Sequence, residues 1–130
     1  MIVSGLMACG GANVSISPNE VMNAYTAAIN AGDVEKALSY VDDNAVYSRP
    51  VGKFTGKAEV RTFVQDLVTR KAKIELLGQR TVQGENVTWV SRVTLIDPQN
   101  PGAPPTTVTN NSASVVRNNK IVQHTATRAP

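Results

Sequence analysis

From Ser17 onward apolar residues recur first at helical spacing and later at every second position, and this change of period divides the chain. Ser17 with Glu20 forms a capping box, Pro18 takes the first helical position, and Val21, Met22, Tyr25, Ala28 and Ile29 supply one apolar face. Gly32 ends that helix. Asp33 caps a second one, whose apolar positions are Val34, Ala37, Leu38 and Val41. Residues 45–49 alternate like a strand closed by Pro50, and Gly52 and Gly56 bracket a turn or short hairpin. Helical spacing returns from Lys57 to about Arg70, with Val60, Phe63, Val64, Leu67 and Val68 facing inward. Four stretches rich in β-branched residues follow, at 74–82, 87–96, 106–116 and 121–128. Gln83-Gly84-Glu85 and Arg117-Asn118-Asn119-Lys120 carry turn chemistry. Residues 97–105 hold Pro98, Pro101, Pro104 and Pro105 and read as a stiff excursion at a sheet end. Helices in the N-terminal half and antiparallel strands after them predict an α+β domain, with three helices on one face of a curved sheet.

Composition narrows the class. A chain of 130 residues, 42% hydrophobic and 18% charged, has the makings of one real core. It contains no apolar run of the roughly 20 residues that a membrane helix needs. Its formal charge is +3, and the basic residues scatter from Lys36 to Arg128, so no nucleic-acid footprint is expected. The single Cys9 excludes an internal disulfide framework, and the single His124 leaves a zinc site short of ligands. No metal and no cofactor are expected.

The first 17 residues differ from the domain at 18–130. Residues 1–11 are small or apolar without a charge, and residues 10–17 look like a flexible tether. Leu6-Met7-Ala8-Cys9 resembles the lipobox of bacterial lipoproteins. The resemblance implies cleavage after Ala8, lipid on Cys9, and a place in the cell envelope with membrane contact only through that lipid. The basic and most of the apolar parts of such a signal are missing, as they would be if the start had been set too late. The alternative is an ordinary N-terminus with an incidental thiol on a cytoplasmic protein.

From 17 to 128 the order of elements resembles the cone-shaped fold shared by nuclear transport factor two-like proteins, SnoaL-type polyketide cyclases and ketosteroid isomerases. Its most specific piece is Tyr25-Thr-Ala-Ala-Ile-Asn-Ala-Gly-Asp33, similar to the end of the isomerases' first helix. Asp42-Asp43, Pro50-Val51-Gly52, Gly56 and Val60-Arg61-Thr62-Phe63 follow the family's spacing. Lys120-Ile121-Val122 resembles the start of its last strand, with Asn119 where the family has glycine. Asparagine tolerates the left-handed conformation, so the exchange leaves the fold intact.

The resemblance implies an isomerase site of a carboxylate base, a tyrosine and a neutral acid, the last two donating to a developing oxyanion. Tyr25 falls on the tyrosine. The base position before Pro50 is Arg49, whose guanidinium cannot take a proton near pH 7. The acid position falls near Ser112. A cyclase-type acid two residues after a His-like position would be Ala126, and the Asp-x-Arg of an epoxide-hydrolase relative finds only Arg92. Asp42 and Asp43 read as serving a turn at a helix end, and Asp33 as a cap.

What remains is a cavity without an acid. By the family's register Asn110, Ser112 and Ser114 share an inward face, and so do Val122, His124, Ala126 and Arg128. The strand at 87–96 stays ambiguous: Trp89 shares a face with Val87, Val93 and Leu95, while Arg92 shares the other with Val90 and Ile96. Tyr25, Trp89 and His124 each have a plain packing role beside the functional one. Arg49 is either solvated or a cation at the cavity. The set Tyr25, Arg49, Trp89, Arg92, Asn110, Ser112 and His124 therefore forms the candidate binding residues. They favour a non-catalytic SnoaL-like domain on a lipoprotein that binds a small polar or anionic molecule or a protein partner. Relatives dimerise through the outer sheet face, and a homodimer is expected here too. The alternative is an isomerase or cyclase working through Tyr25 and His124.

Overall fold

Local hydrogen bonds start and stop the helices where the side chains dictate. The computed structural model describes residues 16–50 and 52–129; Cys9 and the lipobox pattern lie outside the described residues. Helix α1 (Pro18–Asn30) begins with the full capping box: the Ser17 hydroxyl accepts from the Glu20 N–H at 3.1 Å, and the Glu20 carboxylate accepts from the Ser17 N–H. Helix α2 (Val34–Leu38) is capped by Asp33, whose carboxylate accepts from the Lys36 N–H at 3.0 Å. It is shorter than its apolar spacing predicts. Val41, expected on its face, instead opens strand β1 (Val41–Arg49), because it pairs in parallel with Ile121 of β6 (Lys120–Arg128). Asp42 and Asp43 thus lie in the irregular part of β1 rather than at a helix end. The Asp42 carboxylate accepts from the Asn44 N–H at 2.9 Å, and Asp43 pairs with Lys57 at 3.4 Å.

Strand β2 (Gly52–Thr55) forms the short hairpin with β1, and α3 (Lys57–Thr69) follows. The remaining strands are β3 (Lys73–Gln83), β4 (Asn86–Leu95) and β5 (Thr106–Arg117). One six-stranded sheet has the order β2-β1-β6-β5-β4-β3, antiparallel at every pairing except β1 with β6. Three helices on this curved, mostly antiparallel sheet make the α+β cone. The proline-rich link runs at the sheet end as expected, tied to the end of α3 by the Ile96 N–H donating to the Arg70 carbonyl at 2.8 Å. A bulge in β3, where Gly78 takes φ +79°, shifts the register against β4. Beyond it Arg80 reaches the side chains of Asn19 and Asn23 on α1.

The inner face of the sheet is set rung by rung. Val87, Ser114 and His124 stand side by side across β4, β5 and β6; Trp89, Ser112 and Ala126 form the next rung, and Ser91, Asn110 and Arg128 the third. A second bulge, at the start of β6, corrects one expectation. Val116 pairs with Ile121 but Val115 with Gln123, so Ile121 rather than Val122 is fully buried. The turn before it uses Asn118 and Asn119 at φ 53° and 63°. The Asn119 side chain also accepts from the Ile16 N–H at 3.1 Å, which fixes the start of α1 to the β5–β6 turn.

Around that turn the cone is filled, by Val21, Leu38, Val41, Val87, Val116 and Ile121. At the opposite end, where Leu95, Thr106 and Arg128 meet Arg70 of α3, the cone is open. Among the described residues no helix is long and apolar enough to cross a membrane. Ile121→Ala removes a fully buried side chain from the filled end and should cost roughly 2–5 kcal/mol of stability; urea denaturation followed by circular dichroism checks this.

Candidate functional site

The open end holds a cavity of about 580 Å³, within the roughly 300–1,000 Å³ of small-molecule sites. Tyr25 and Ile29 of α1, Phe63 and Leu67 of α3, and Trp89, Val93 and Val108 of the sheet line it. Ser91, Asn110 and Ser112 run as a polar ribbon down the sheet side. His124 sits at the floor, its ring 4.9 Å from that of Tyr47 and 5.8 Å from that of Trp89.

The buried polar groups are held in defined protonation states. His124 shares a 2.7 Å hydrogen bond between Nδ1 and the Ser114 hydroxyl. Burial first, and the charge of Arg49 second, push its pKa down to about 3, so the ring is neutral near pH 7. Burial pushes the Tyr25 hydroxyl up to about 12 and Tyr47 well above the ordinary range, so both remain protonated donors. The two hydroxyls interact, yet no partner meets hydrogen-bond geometry at the Tyr47 oxygen. Arg49 lies with its guanidinium 4.7 Å from the centroid of the Phe63 ring. Three arginines, Arg49, Arg70 and Arg128, face one carboxylate, Asp66, around the cavity. Asp66 is exposed at the rim and pairs with Arg70 on the next turn of α3 at 3.2 Å.

The cone, its inward polar ribbon and its tyrosine agree with the resemblance drawn from the sequence, and a model of the SnoaL-like domain matches residues 22–124. The chain belongs to the SnoaL-like family. No curated protein sequence matches it. Among solved structures the SnoaL-like domain is similar in fold to SalBIII, an epoxide hydrolase/cyclase-like enzyme in pyran ring formation in the polyether salinomycin. The identity is 20% and the TM-score 0.79, over 86% of this chain and 90% of that one. TerC, co-crystallised with polyporic acid, matches at 18% identity and TM-score 0.72 over 87% and 92%. An NTF2-like protein of unknown function from Cytophaga hutchinsonii matches at 14% identity and TM-score 0.72 over 90% and 94%.

Of the residues singled out in the sequence, Tyr25, Arg49, Trp89, Asn110, Ser112 and His124 meet at this one cavity. Arg92 does not. It lies on the outer face and forms an ion pair with Glu75 of β3 at 3.2 Å. Both faces of β4 are apolar enough to be buried, and only contact with the helices, a long-range fact, decides that Trp89 turns inward. Tyr47 is the group that sequence reasoning missed. The signal was present, since period two places it on the face of Ala45 and Arg49. The rim pair Asp66–Arg70 was missed as well, because α3 showed only its core positions.

The neutral histidine gives the domain a pH signature. The native state keeps His124 unprotonated down to about pH 3, whereas an unfolded chain takes up its proton near the ordinary histidine value of 6.5. Between those values the unfolded state binds more protons, so stability rises with pH. The contribution is complete above about 6.5 and is lost as pH falls toward 3, at up to about 1.4 kcal/mol per pH unit. His124→Gln should therefore lose less stability than the parent chain between pH 7 and pH 4.5, measured by urea unfolding at each pH.

Proposed function

We propose that this SnoaL-like domain is a non-catalytic binding module that holds a small polar or anionic molecule in its cavity. The observation that carries the reading is the charge on the wall: arginines surround the cavity, and its one carboxylate is exposed and already paired. Acid–base catalysis needs a group whose protonation changes near the working pH. Arg49 stands at the base position, and His124 is held neutral far below that range. The enzymatic reading, with Tyr25 and His124 as working groups, draws support from the two side chains lining the same cavity. A histidine with so low a pKa is a weak base, and this favours the binding reading. A neighbour of the same fold crystallised with an organic acid, polyporic acid, supports such use of the cavity.

The proposal extends to place and assembly. Lipid on Cys9 would hold the domain in the cell envelope, a reading supported by Leu6-Met7-Ala8-Cys9. A second copy would seat on the outer sheet face, where Leu77, Thr88, Val90, Ala113 and Thr125 surround a shallow uncharged depression. Native mass spectrometry of the chain purified from its own host tests the three together. The expected result is a dimer, a lipid mass on Cys9, and one small molecule per protomer that incubation leaves unchanged. Conversion of that molecule to a new species would establish the enzyme instead; a ligand-free monomer or an unmodified chain beginning at Met1 would remove the corresponding part.

A further inference from the structure

Five ion pairs join described residues, and their cations are Lys57, Arg61, Arg70, Arg92 and Arg117. Among the described residues Arg49 has no carboxylate within ion-pair distance. Its side chain is half-buried on the cavity wall, and the ring of Phe63 is its one close charge-compensating contact among the described residues. An aromatic face replaces only part of the hydration that a guanidinium gives up. Burial lowers the Arg49 pKa, with the charge of Arg128 acting in the same direction. A guanidinium nonetheless stays charged at neutral pH and carries five N–H donors and no acceptor.

The groups around it repeat that deficit. Tyr25 and Tyr47 both sense the charge of Arg49 and both keep their protons. The Tyr47 hydroxyl, fully buried, has no hydrogen-bond partner. On the cavity wall itself Arg49 and Tyr25 are thus donors without a carboxylate paired to them. An acceptor-only group that can take a forked pair of N–H bonds is a carboxylate. Away from Arg49 the wall is of another kind, built from Leu67, Ile74, Trp89, Val93, Leu95 and Val108. This part of the wall suits the apolar body of a ligand, with Ser91, Asn110, Ser112 and Arg128 as the polar groups beside it.

We infer that the ligand is an amphiphilic organic carboxylate, its head held by Arg49 with Tyr25 as an auxiliary donor and its apolar body laid against Trp89, Val93 and Val108. The inference rests on the binding reading above and names the chemical class.

Trp89 is the sole tryptophan and lies on the cavity wall, so its emission reports filling directly. Decanoate and decan-1-ol, which share an apolar chain and differ at the head, are titrated into the full chain. The acid should bind at least about tenfold more tightly than the alcohol. Arg49→Gln should bring the two within about twofold, and Arg49→Lys should restore part of the preference. Tyr25→Phe, which keeps the ring, should lower the preference by a smaller factor and guards against a folding defect in the arginine variants. Equal binding of acid and alcohol, or an unchanged preference in Arg49→Gln, overturns the carboxylate on Arg49 while leaving a binding cavity in place. Failure of both probes to change Trp89 emission overturns the binding reading along with it.

Discussion

The register among β4, β5 and β6 is the constraint on which the cavity depends. Side chains alternate between faces with period two, so a slip of one residue would turn Trp89, Ser112 and His124 to the outside together. The register is held by the hydrophobic demand at the filled end, where Val87, Val116 and Ile121 are buried. It is adjusted by one bulge in β3 and another at the start of β6. The filled end therefore does the specifying for the open end. Polar residues at Ser91, Asn110 and Ser112 can face an unfilled space because apolar residues lower on the same strands fix their direction.

Electrostatics follow from that geometry. A space enclosed by helices and sheet strips water from whatever lines it, and each ionisable group there answers in its own way. His124 gives up its proton and settles on Ser114; Tyr25 and Tyr47 retain theirs. Arg49 can do neither, and it lies against Phe63. Apart from Asp66 at the rim, the acids lie away from the cavity, among them those capping α1 and α2, steadying the start of β1, or paired on the surface. The same backbone that carries proton-transfer chemistry in isomerases is thereby compatible with an interior that is rich in donors and poor in acids.

Much of this was legible in the sequence. The capping box at Ser17, the helical period of α1 and α3 and the four alternating strands name the elements, and Asn119 in a left-handed turn stands where glycine would. Inward placement of Asn110, Ser112 and His124 followed from period two once a family register was assumed. Three features were not legible, each because tertiary pairing overrode a local pattern. Val41 belongs to a strand because Ile121 recruits it; Ile121 displaces Val122 from the core because of a bulge; Arg92 faces outward because Glu75 and solvent lie there. Tyr47 was readable by alternation, but its unpaired hydroxyl was not, since that depends on what the surrounding elements fail to supply.

The hydrogen bond from the Ile16 N–H to the Asn119 side chain has a geometric corollary. It joins Ile16, the first described residue, to the hairpin turn at the packed floor, the far pole from the doorway formed by Leu95, Thr106 and Arg128. Anything attached ahead of Ile16 grips the domain by its foot. A leash attached there would leave the doorway pointing outward, so that a guest arriving by diffusion would meet the entrance before the anchorage.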